Sequence, residues 1–122
     1  MDMEQQIKEA GADRAPRVTP ADIEAEIASE HYFVAGDGIY GAAHKRGDDS
    51  VQSFPEALDL LTFCVLVLSN GFTVTGESAC ASPANFNAEI GRRIARENAI
   101  TKVWPLLGFR LRDALHEIQH TA

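Results

Sequence analysis

The chain has 122 residues and a mass of 13.3 kDa, with 45% hydrophobic and 24% charged residues. This length fits one compact domain and excludes a large multidomain enzyme. No apolar run approaches the roughly 20 residues of a membrane helix, and the polar N terminus does not resemble a secretory signal, so we expect a soluble, cytoplasmic protein. Two cysteines are too few for a disulfide framework or a four-cysteine zinc site.

The net charge of −7 argues against a protein that binds duplex nucleic acid, because such proteins use surplus basic residues to neutralise phosphates. The charge is uneven: residues 1–60 carry −8 and residues 61–122 carry +1. All six bases of the second half lie within 21 residues that contain one acid, Glu97: Arg92, Arg93, Arg96, Lys102, Arg110 and Arg112. A local basic site on an acidic body suits a small anion.

The first half of the chain predicts an arm, a helix and a loop. Residues 1–17 lack an apolar stripe and are expected to form a mobile arm before a single domain over residues 18–122. Thr19 as cap, followed by Pro20 and Asp22, predicts a helix over about residues 20–30. The Gly- and Asp-rich residues 36–53 are expected to form a loop.

The centre of the chain predicts a β-hairpin. Two β-prone runs, about residues 61–68 and 72–79, flank Asn70-Gly71, which is the strongest short signal for a hairpin turn. A two-residue turn would pair Val67 with Val74 and Val65 with Gly76. The first run is apolar at every position but Thr62, so we expect it to be central or covered on both faces.

A helix is predicted over about residues 83–99, where Ser82 is a suitable cap and Pro83 a suitable first residue. Its small side chains form a stripe that would allow close packing: Ala84, Ala88, Gly91, Ala95 and Ala99. Residues 100–109 are expected to form an apolar connection through Trp104-Pro105, and residues 110–120 a closing helix or a strand followed by a helix. The elements together predict an α+β fold in which helices cover a small antiparallel sheet built on the hairpin.

The polar side of this helix carries the candidate binding site. Arg92 and Arg96 lie one turn apart and could share a phosphate, while Phe86 at the helix start could stack on a base. A solvent-exposed helix face explains the same pattern. The candidate ligand-binding residues are Asn85, Phe86, Asn87, Arg92, Arg93, Arg96, Arg110 and Arg112.

Two other chemistries have weaker signals. His116 and His120 have the i, i+4 spacing of metal ligands, but no third ligand accompanies them. Ser78 follows a strand and precedes a helix, as in a nucleophile elbow, but Cys80 replaces the closing glycine. No set of nucleophile, base and oxyanion donors is visible, so we predict a protein that is not an enzyme and uses no cofactor or metal.

The stretch LTFCVLVLSNGFTVTGESACASPANFNAEIGRRIARENAITKVWPLLGF closely resembles the gene-product-49/66-like family of small tailed-phage proteins, and TPADIEAEIASEHYFVAGDGIYGA is similar to that family's N-terminal part. The resemblance implies a phage or prophage accessory protein acting in the bacterial cytoplasm. More distantly, the hairpin, SPANF and WPLLGF are similar to the Thoeris anti-defence-one proteins. That likeness implies capture of cyclic ADP-ribose-type signals in pockets formed between protomers.

These observations lead to two functional hypotheses. The first is a homo-oligomer that sequesters a nucleotide-derived immune signal, cyclic ADP-ribose-type or a cyclic oligonucleotide, without cleaving it. The alternative is an acidic inhibitor or adaptor that docks on a basic host protein through Asp22, Glu24, Glu26 and Glu30. A hydrolase that uses Ser78 or a histidine-bound metal is the third possibility.

Overall fold

A computed structural model describes residues 2–50, 53 and 55–120. The elements are α1 (Met3–Glu9), α2 (Pro20–Glu26), β1 (Ile27–Val34), α3 (Ala35–Lys45), a 3-10 turn (Glu56–Leu60), β2 (Leu61–Leu68), β3 (Thr73–Ala79), a second 3-10 turn (Pro83–Asn85) and α4 (Ala88–His120). The strands form one antiparallel sheet in the order β1-β2-β3. The predicted α+β fold around an antiparallel hairpin is confirmed.

The hydrophobic core lies between one face of the sheet and α4. Burial alternates strictly along the 8 residues of β2: the even-numbered residues are buried on one face, and the odd-numbered residues are half-buried on the other. β2 is the central strand, as predicted. The residues of the core cluster are Ile23, Cys64, Leu66, Leu68, Val74, Ala95, Ala99, Val103 and Leu107.

The predicted register of the hairpin is wrong by one residue. The structure pairs Val67 with Thr73 and Leu66 with Val74, so the loop contains three residues and not two. Gly71 adopts a φ of 87°, which matches a three-residue loop closed by a left-handed residue. Because a one-residue slip reverses the faces, this register places Leu66 and Val74 together in the core.

The small-residue stripe of the helix is where α4 contacts the sheet. Gly91, Ala95 and Ala99 are buried, as the prediction of close packing requires, whereas Ala84 and Ala88 are exposed. Gly76 on β3 faces the same stripe: a Cβ there would lie 2.2 Å from the Ala95 carbonyl oxygen. The strand and helix backbones therefore touch without side chains between them.

The helix predicted over residues 20–30 is shorter than expected. Thr19 and Asp22 form the reciprocal capping box at its start, but α2 ends at Glu26. From Ile27 the chain pairs with β2 as the first strand of the sheet. Ladder hydrogen bonds to a central strand thus override the helical pattern of four more residues.

The loop predicted over residues 36–53 is wrong for its first ten residues, which are helical in α3. The Asp37 carboxylate accepts a hydrogen bond from the Val34 N–H at 3.3 Å and satisfies one of the free donors at the helix start. Ala43 is buried, and α3 packs against the 3-10 turn before β2. Tertiary packing compensates for the helix-weakening glycines. Residues 51 and 52 of the predicted loop lie outside the described residues.

The predicted connection through Trp104-Pro105 between two separate elements is also wrong, because α4 runs through Pro105 as one helix of 33 residues. Its start differs from the prediction too. A 3-10 turn covers Pro83–Asn85, and the α-helix begins at Ala88, where Asn87 Oδ1 accepts a hydrogen bond from the Ile90 N–H at 3.0 Å. Val103 and Leu107, on either side of Pro105, are both buried, so core packing holds the helix together across the proline.

The N-terminal residues form one short helix that buries none of its side chains. Arg17 donates a hydrogen bond to Glu4 Oε1 at 3.2 Å, so the chain after α1 folds back and contacts that helix. The mobility of residues 1–17 and the single domain over residues 18–122 remain predictions. Within the described residues, no helix has the length and apolar character needed to cross a membrane.

Candidate functional site

A cleft of about 220 Å³ lies where the start of α4 meets the end of β1 and the start of α3. We call it the Arg92 cleft. Its polar lining residues are Arg92, Asp37, Tyr32 and Thr62. The lining residues are Tyr32, Phe33, Val34, Asp37, Thr62, Phe86, Ala88 and Arg92.

Arg92 is available for a ligand. No carboxylate in the described part of the chain lies within 4 Å of its guanidinium, and it donates no hydrogen bond there. Asp37 in the same cleft is thus not an ion-pair partner, and its carboxylate instead accepts the Val34 N–H. Arg92 therefore presents an unneutralised cation with a forked set of N–H donors, which suits a phosphate or carboxylate.

Phe86 joins the Arg92 cleft to a second, smaller one of about 140 Å³, which we call the Asn85 cleft. Both clefts are lined by Phe86 and Thr62. The remaining residues of the second cleft are Leu60, Ser78, Ala79, Cys80, Asn85, Asn87, Ile90, Gly91 and Ile94. The adjoining clefts give one aromatic wall with a cation on one side and amides on the other.

The non-helical step between the 3-10 turn and α4 positions these side chains. Ser82 Oγ accepts a hydrogen bond from the Ala84 N–H, and the Phe86 N–H donates to the Pro83 carbonyl at 3.2 Å. The chain is then non-helical at Phe86 and Asn87, and Asn87 caps α4. Because Asn87 Oδ1 serves as the cap, its NH₂ group is the part that remains for a ligand.

Tyr32 is a neutral hydrogen-bond donor at the edge of the Arg92 cleft. Burial of the ring raises the pKa of the Tyr32 hydroxyl well above its ordinary value, and the hydrogen bond to Glu30 raises it further. The hydroxyl donates to Glu30 Oε1 at 3.0 Å. Tyr32 therefore stays protonated across the pH range in which the protein would be used.

Arg96, the second arginine of the predicted phosphate clamp, is held within the chain. It donates two hydrogen bonds to Glu24, at 3.1 and 2.7 Å, and a third to Glu30 at 3.0 Å. These bonds connect α4 to α2 and β1. They also lower the pKa of Glu24, chiefly through the hydrogen bonds from Arg96. Arg96 therefore serves packing in this structure and does not line either cleft.

The other predicted arginines also lie away from the two clefts. Arg110 donates to both carboxylate oxygens of Glu26, at 2.8 and 3.0 Å, and these bonds lower the pKa of Glu26. Arg93 and Arg112 are exposed and form no ion pair with the described residues. Of the eight predicted residues, the structure brings together Asn85, Phe86, Asn87 and Arg92.

The same ion pairs bear on the alternative docking surface of acidic residues. Glu24, Glu26 and Glu30 are each bound to an arginine of α4. The Asp22 carboxylate accepts the Thr19 N–H in the capping box. These four acids are therefore neutralised or hydrogen-bonded within the chain and offer a weaker field to a basic partner than their sequence suggests.

The residues of the weaker hypotheses are also located. Ser78 and Cys80 line the Asn85 cleft, and the Cys80 thiol donates to the Ser82 carbonyl at 3.2 Å. The His116 and His120 rings lie 4.2 Å apart near the end of α4. Across residues 2–50, 53 and 55–120, no three His, Cys, Asp or Glu side chains are grouped as metal ligands.

Removing the Arg96 ion pairs should lower stability and alter its dependence on pH. Arg96→Met keeps the aliphatic stem, and we expect it to lower the free energy of unfolding by about 1 kcal/mol at pH 7. Because the pKa of Glu24 is depressed in the folded state, its contribution is present above pH 4.5 and is lost as the pH falls below that value.

The test is urea denaturation at pH 7 and at pH 3. The difference between wild type and Arg96→Met should be smaller at pH 3 than at pH 7, because protons compete with Arg96 for the Glu24 carboxylate as the pH falls. Arg93→Met is the matched control, because it makes the same change at an exposed position one helical turn before Arg96. It should leave the free energy of unfolding unchanged at both pH values. A difference that is equal at both pH values would show that Arg96 stabilises through packing alone.

A comparison with protein-family models matches residues 18–115, most of the chain, to one family of phage proteins. The chain belongs to the N4 Gp49/phage Sf6 gene 66 family. The resemblance drawn from the hairpin and the following helix is thereby confirmed for this family. No curated protein and no solved structure gives a significant match. The family name assigns a phage origin and no chemistry, so the function of this family member must be argued from its site.

Proposed function

We propose that this phage protein binds a nucleotide-derived immune signal in the joined Arg92 and Asn85 clefts and sequesters it without cleaving it, and so counters a host antiviral defence. The observation that carries the proposal is the position of Arg92. It is an unpaired arginine that lines a cleft together with an aromatic ring, Phe86. An anion on the guanidinium and a flat base on the ring are the two halves of nucleotide recognition.

The charge of the rest of the chain supports a small ligand. At a net charge of −7, a long polyanion would be repelled everywhere except at a local basic site. Ion pairs neutralise Arg96 and Arg110, whereas Arg92 forms no ion pair with the described residues and lines the Arg92 cleft. A single unpaired cation suits one phosphate or pyrophosphate, whereas a duplex needs many contacts.

The size of the site is also compatible with a compact nucleotide. Neither cleft alone, at about 220 and 140 Å³, reaches the roughly 300 to 1,000 Å³ typical of ligand pockets. Taken together through Phe86, they total about 360 Å³, just above the lower end of that range. A cyclic ADP-ribose-type molecule or a cyclic dinucleotide would place its phosphate at Arg92 and a base against Phe86, with the Asn85 and Asn87 amides beside it.

Calorimetric titration with cyclic ADP-ribose isomers and cyclic dinucleotides tests the proposal. We expect heat with at least one of them, and we expect Arg92→Gln to weaken that binding about 10- to 100-fold, because a charge-assisted hydrogen bond contributes roughly 1.5 to 3 kcal/mol. Phe86→Leu should weaken it less, by about 3- to 10-fold, through loss of stacking.

Lys102→Gln removes one positive charge from an exposed position of the same helix that lines neither cleft, and it should leave affinity unchanged. Ligand recovered after denaturing the complex should be chemically intact. The proposal fails if no ligand of either class produces heat. It also fails if Arg92→Gln and Lys102→Gln behave alike, which would indicate only a general charge effect.

A further inference from the structure

Thr62 is the only polar side chain that is fully buried in the described part of the chain. It is 3% exposed, and the other residues on the buried face of β2 are apolar: Cys64, Leu66 and Leu68. The Thr62 hydroxyl forms no hydrogen bond with any residue that the structure describes. A buried hydroxyl without a partner destabilises a fold, and a valine of the same shape would avoid that loss. The fold alone therefore gives no reason for a threonine at this position.

The oxygen of Thr62 is open to the clefts. Among the described residues, every side-chain oxygen or nitrogen that is closed off from solvent has a hydrogen-bond partner. Because Thr62 Oγ1 has no partner, it is not closed off, and Thr62 lines both the Arg92 cleft and the Asn85 cleft. A Cβ on Gly91 would lie 3.0 Å from this oxygen, so the glycine keeps the oxygen uncovered on the side of the Asn85 cleft.

Ser78 provides a second hydroxyl beside Thr62. The two residues are partners in the register of β2 and β3, so their side chains lie on the same face of the sheet. Ser78 is half-buried, lines the Asn85 cleft and forms no side-chain hydrogen bond with the described residues. The described residues that line this cleft are all uncharged. The Asn85 cleft thus offers two unpaired hydroxyls to a neutral polar group, and the cation lies in the adjoining cleft.

We propose that the Thr62 and Ser78 hydroxyls bind a neutral hydrogen-bonding group of the nucleotide whose phosphate Arg92 binds. This inference rests on the proposed function and makes Thr62 a specificity-determining residue. A hydroxyl both donates and accepts, so it can bind the edge of a base or a sugar hydroxyl. A ligand without such a group leaves both hydroxyls unpaired, and the site should therefore discriminate against it.

NMR titration of the full chain with adenosine 5′-monophosphate, ribose 5-phosphate and inorganic pyrophosphate tests this assignment. Thr62→Val keeps the shape of the side chain and removes the hydroxyl. It should weaken binding of adenosine 5′-monophosphate about 3- to 10-fold, as expected for one neutral hydrogen bond, and leave that of pyrophosphate unchanged. An equal loss for ribose 5-phosphate places a sugar hydroxyl at Thr62, and a loss confined to adenosine 5′-monophosphate places the base there.

Three further variants separate the hydroxyl from other effects. Thr62→Ser retains the hydroxyl and should bind adenosine 5′-monophosphate within about twofold of wild type. Gly91→Ala places a methyl group against the hydroxyl and should weaken that binding as Thr62→Val does. Thr75→Val is the matched control, because it makes the same change at an exposed position of β3 that lines neither cleft. It should leave the affinity for each of the probes unchanged.

Thermal unfolding without ligand provides an independent measurement. Thr62→Val should raise the midpoint of unfolding by about 2 to 4 °C, because it removes an unpaired buried hydroxyl. A lowered midpoint would show that the hydroxyl is hydrogen-bonded within the fold, and it overturns the proposal. Equal binding of adenosine 5′-monophosphate by wild type and Thr62→Val overturns it as well, and so does wild type that does not bind this nucleotide.

These outcomes are distinct from those that decide the proposed function. Cyclic ADP-ribose isomers or cyclic dinucleotides that bind equally well to wild type and Thr62→Val would support sequestration and overturn the role of Thr62. Binding of adenosine 5′-monophosphate that depends on Thr62, together with no heat from any cyclic ligand, would support the role of Thr62 and exclude the sequestration of those signals.

Discussion

Gly76→Ala is expected to destabilise the protein by at least about 3 kcal/mol, which is a large part of the stability of a small domain. The added Cβ would lie 2.2 Å from the Ala95 carbonyl oxygen, 2.3 Å from the Ala99 nitrogen and 2.8 Å from the Ala99 Cα. All three atoms belong to the backbone of α4, which cannot move away by rotating a side chain. The variant must separate the helix from the sheet along the whole contact, and so loosen the core.

Urea denaturation followed by circular dichroism measures this effect. Gly108→Ala is the matched control: it lies inside α4, a Cβ there meets nothing within 4 Å, and it should stabilise the protein by about 0.5 to 1 kcal/mol. The double variant Gly76→Ala/Ala99→Gly distinguishes the cause. It should be at least as unstable as Gly76→Ala, because the clash is with backbone atoms and a glycine inside a helix costs up to about 1 kcal/mol by itself. Rescue by Ala99→Gly would show that side chains separate the two elements.

The fold was predictable where a residue pattern has one structural solution. The run of β-prone residues around Asn70-Gly71 and the small-residue stripe on the following helix each indicate local geometry directly, and both elements are present. The register was not predictable from the turn dipeptide, because Asn-Gly fits a two-residue loop and also a three-residue loop in which Gly71 takes a positive φ. The burial of Leu66 against α4 decides between them.

The errors along the rest of the chain come from contacts distant in sequence. Nothing local to residues 27–30 indicates that they will pair with β2. Nothing in the glycine-rich residues 36–45 indicates that they will form a helix that packs against the turn before that strand. In each case the local preference was weaker than the strand hydrogen bonds or the packing contacts that the folded chain forms. At Pro105 the local sequence predicts an interruption of the helix, but core contacts on both sides of the proline keep α4 continuous.

The candidate site was predictable in part for the same reason. Asn85, Phe86, Asn87 and Arg92 are close in sequence, so one helix start brings them together. Tyr32, Asp37 and Thr62 come from three other elements, and no spacing in the sequence links them to Arg92. The pairing of Arg96 with Glu24, 72 residues earlier, was invisible for that reason too. The uneven charge was a signal, because an acidic first half next to a basic segment also favours ion pairs between them.

Pro105→Ala is expected to raise the free energy of unfolding by about 2 kcal/mol. Pro105 is exposed inside α4 and has no N–H to donate to the Thr101 carbonyl, and its ring crowds that carbonyl. A proline inside a helix costs about 3 kcal/mol relative to alanine. Part of the gain is offset, because the variant loses the restriction that proline places on the unfolded chain, roughly 0.4 to 1 kcal/mol.

Urea denaturation measures the gain in stability of Pro105→Ala. Lys102→Ala, at an exposed position of the same helix, is the control.

A second comparison tests why the proline is present. If the proline directs the end of α4 towards α2, the Arg110–Glu26 ion pair depends on it. Arg110→Gln should then cost less stability in the Pro105→Ala background than in wild type. Equal costs in both backgrounds would mean that Leu107, buried in the core one turn before Arg110, fixes the direction of the helix without help from the proline. A loss of stability in Pro105→Ala itself would contradict the prediction and show that the contacts of α4 with α2 require the proline.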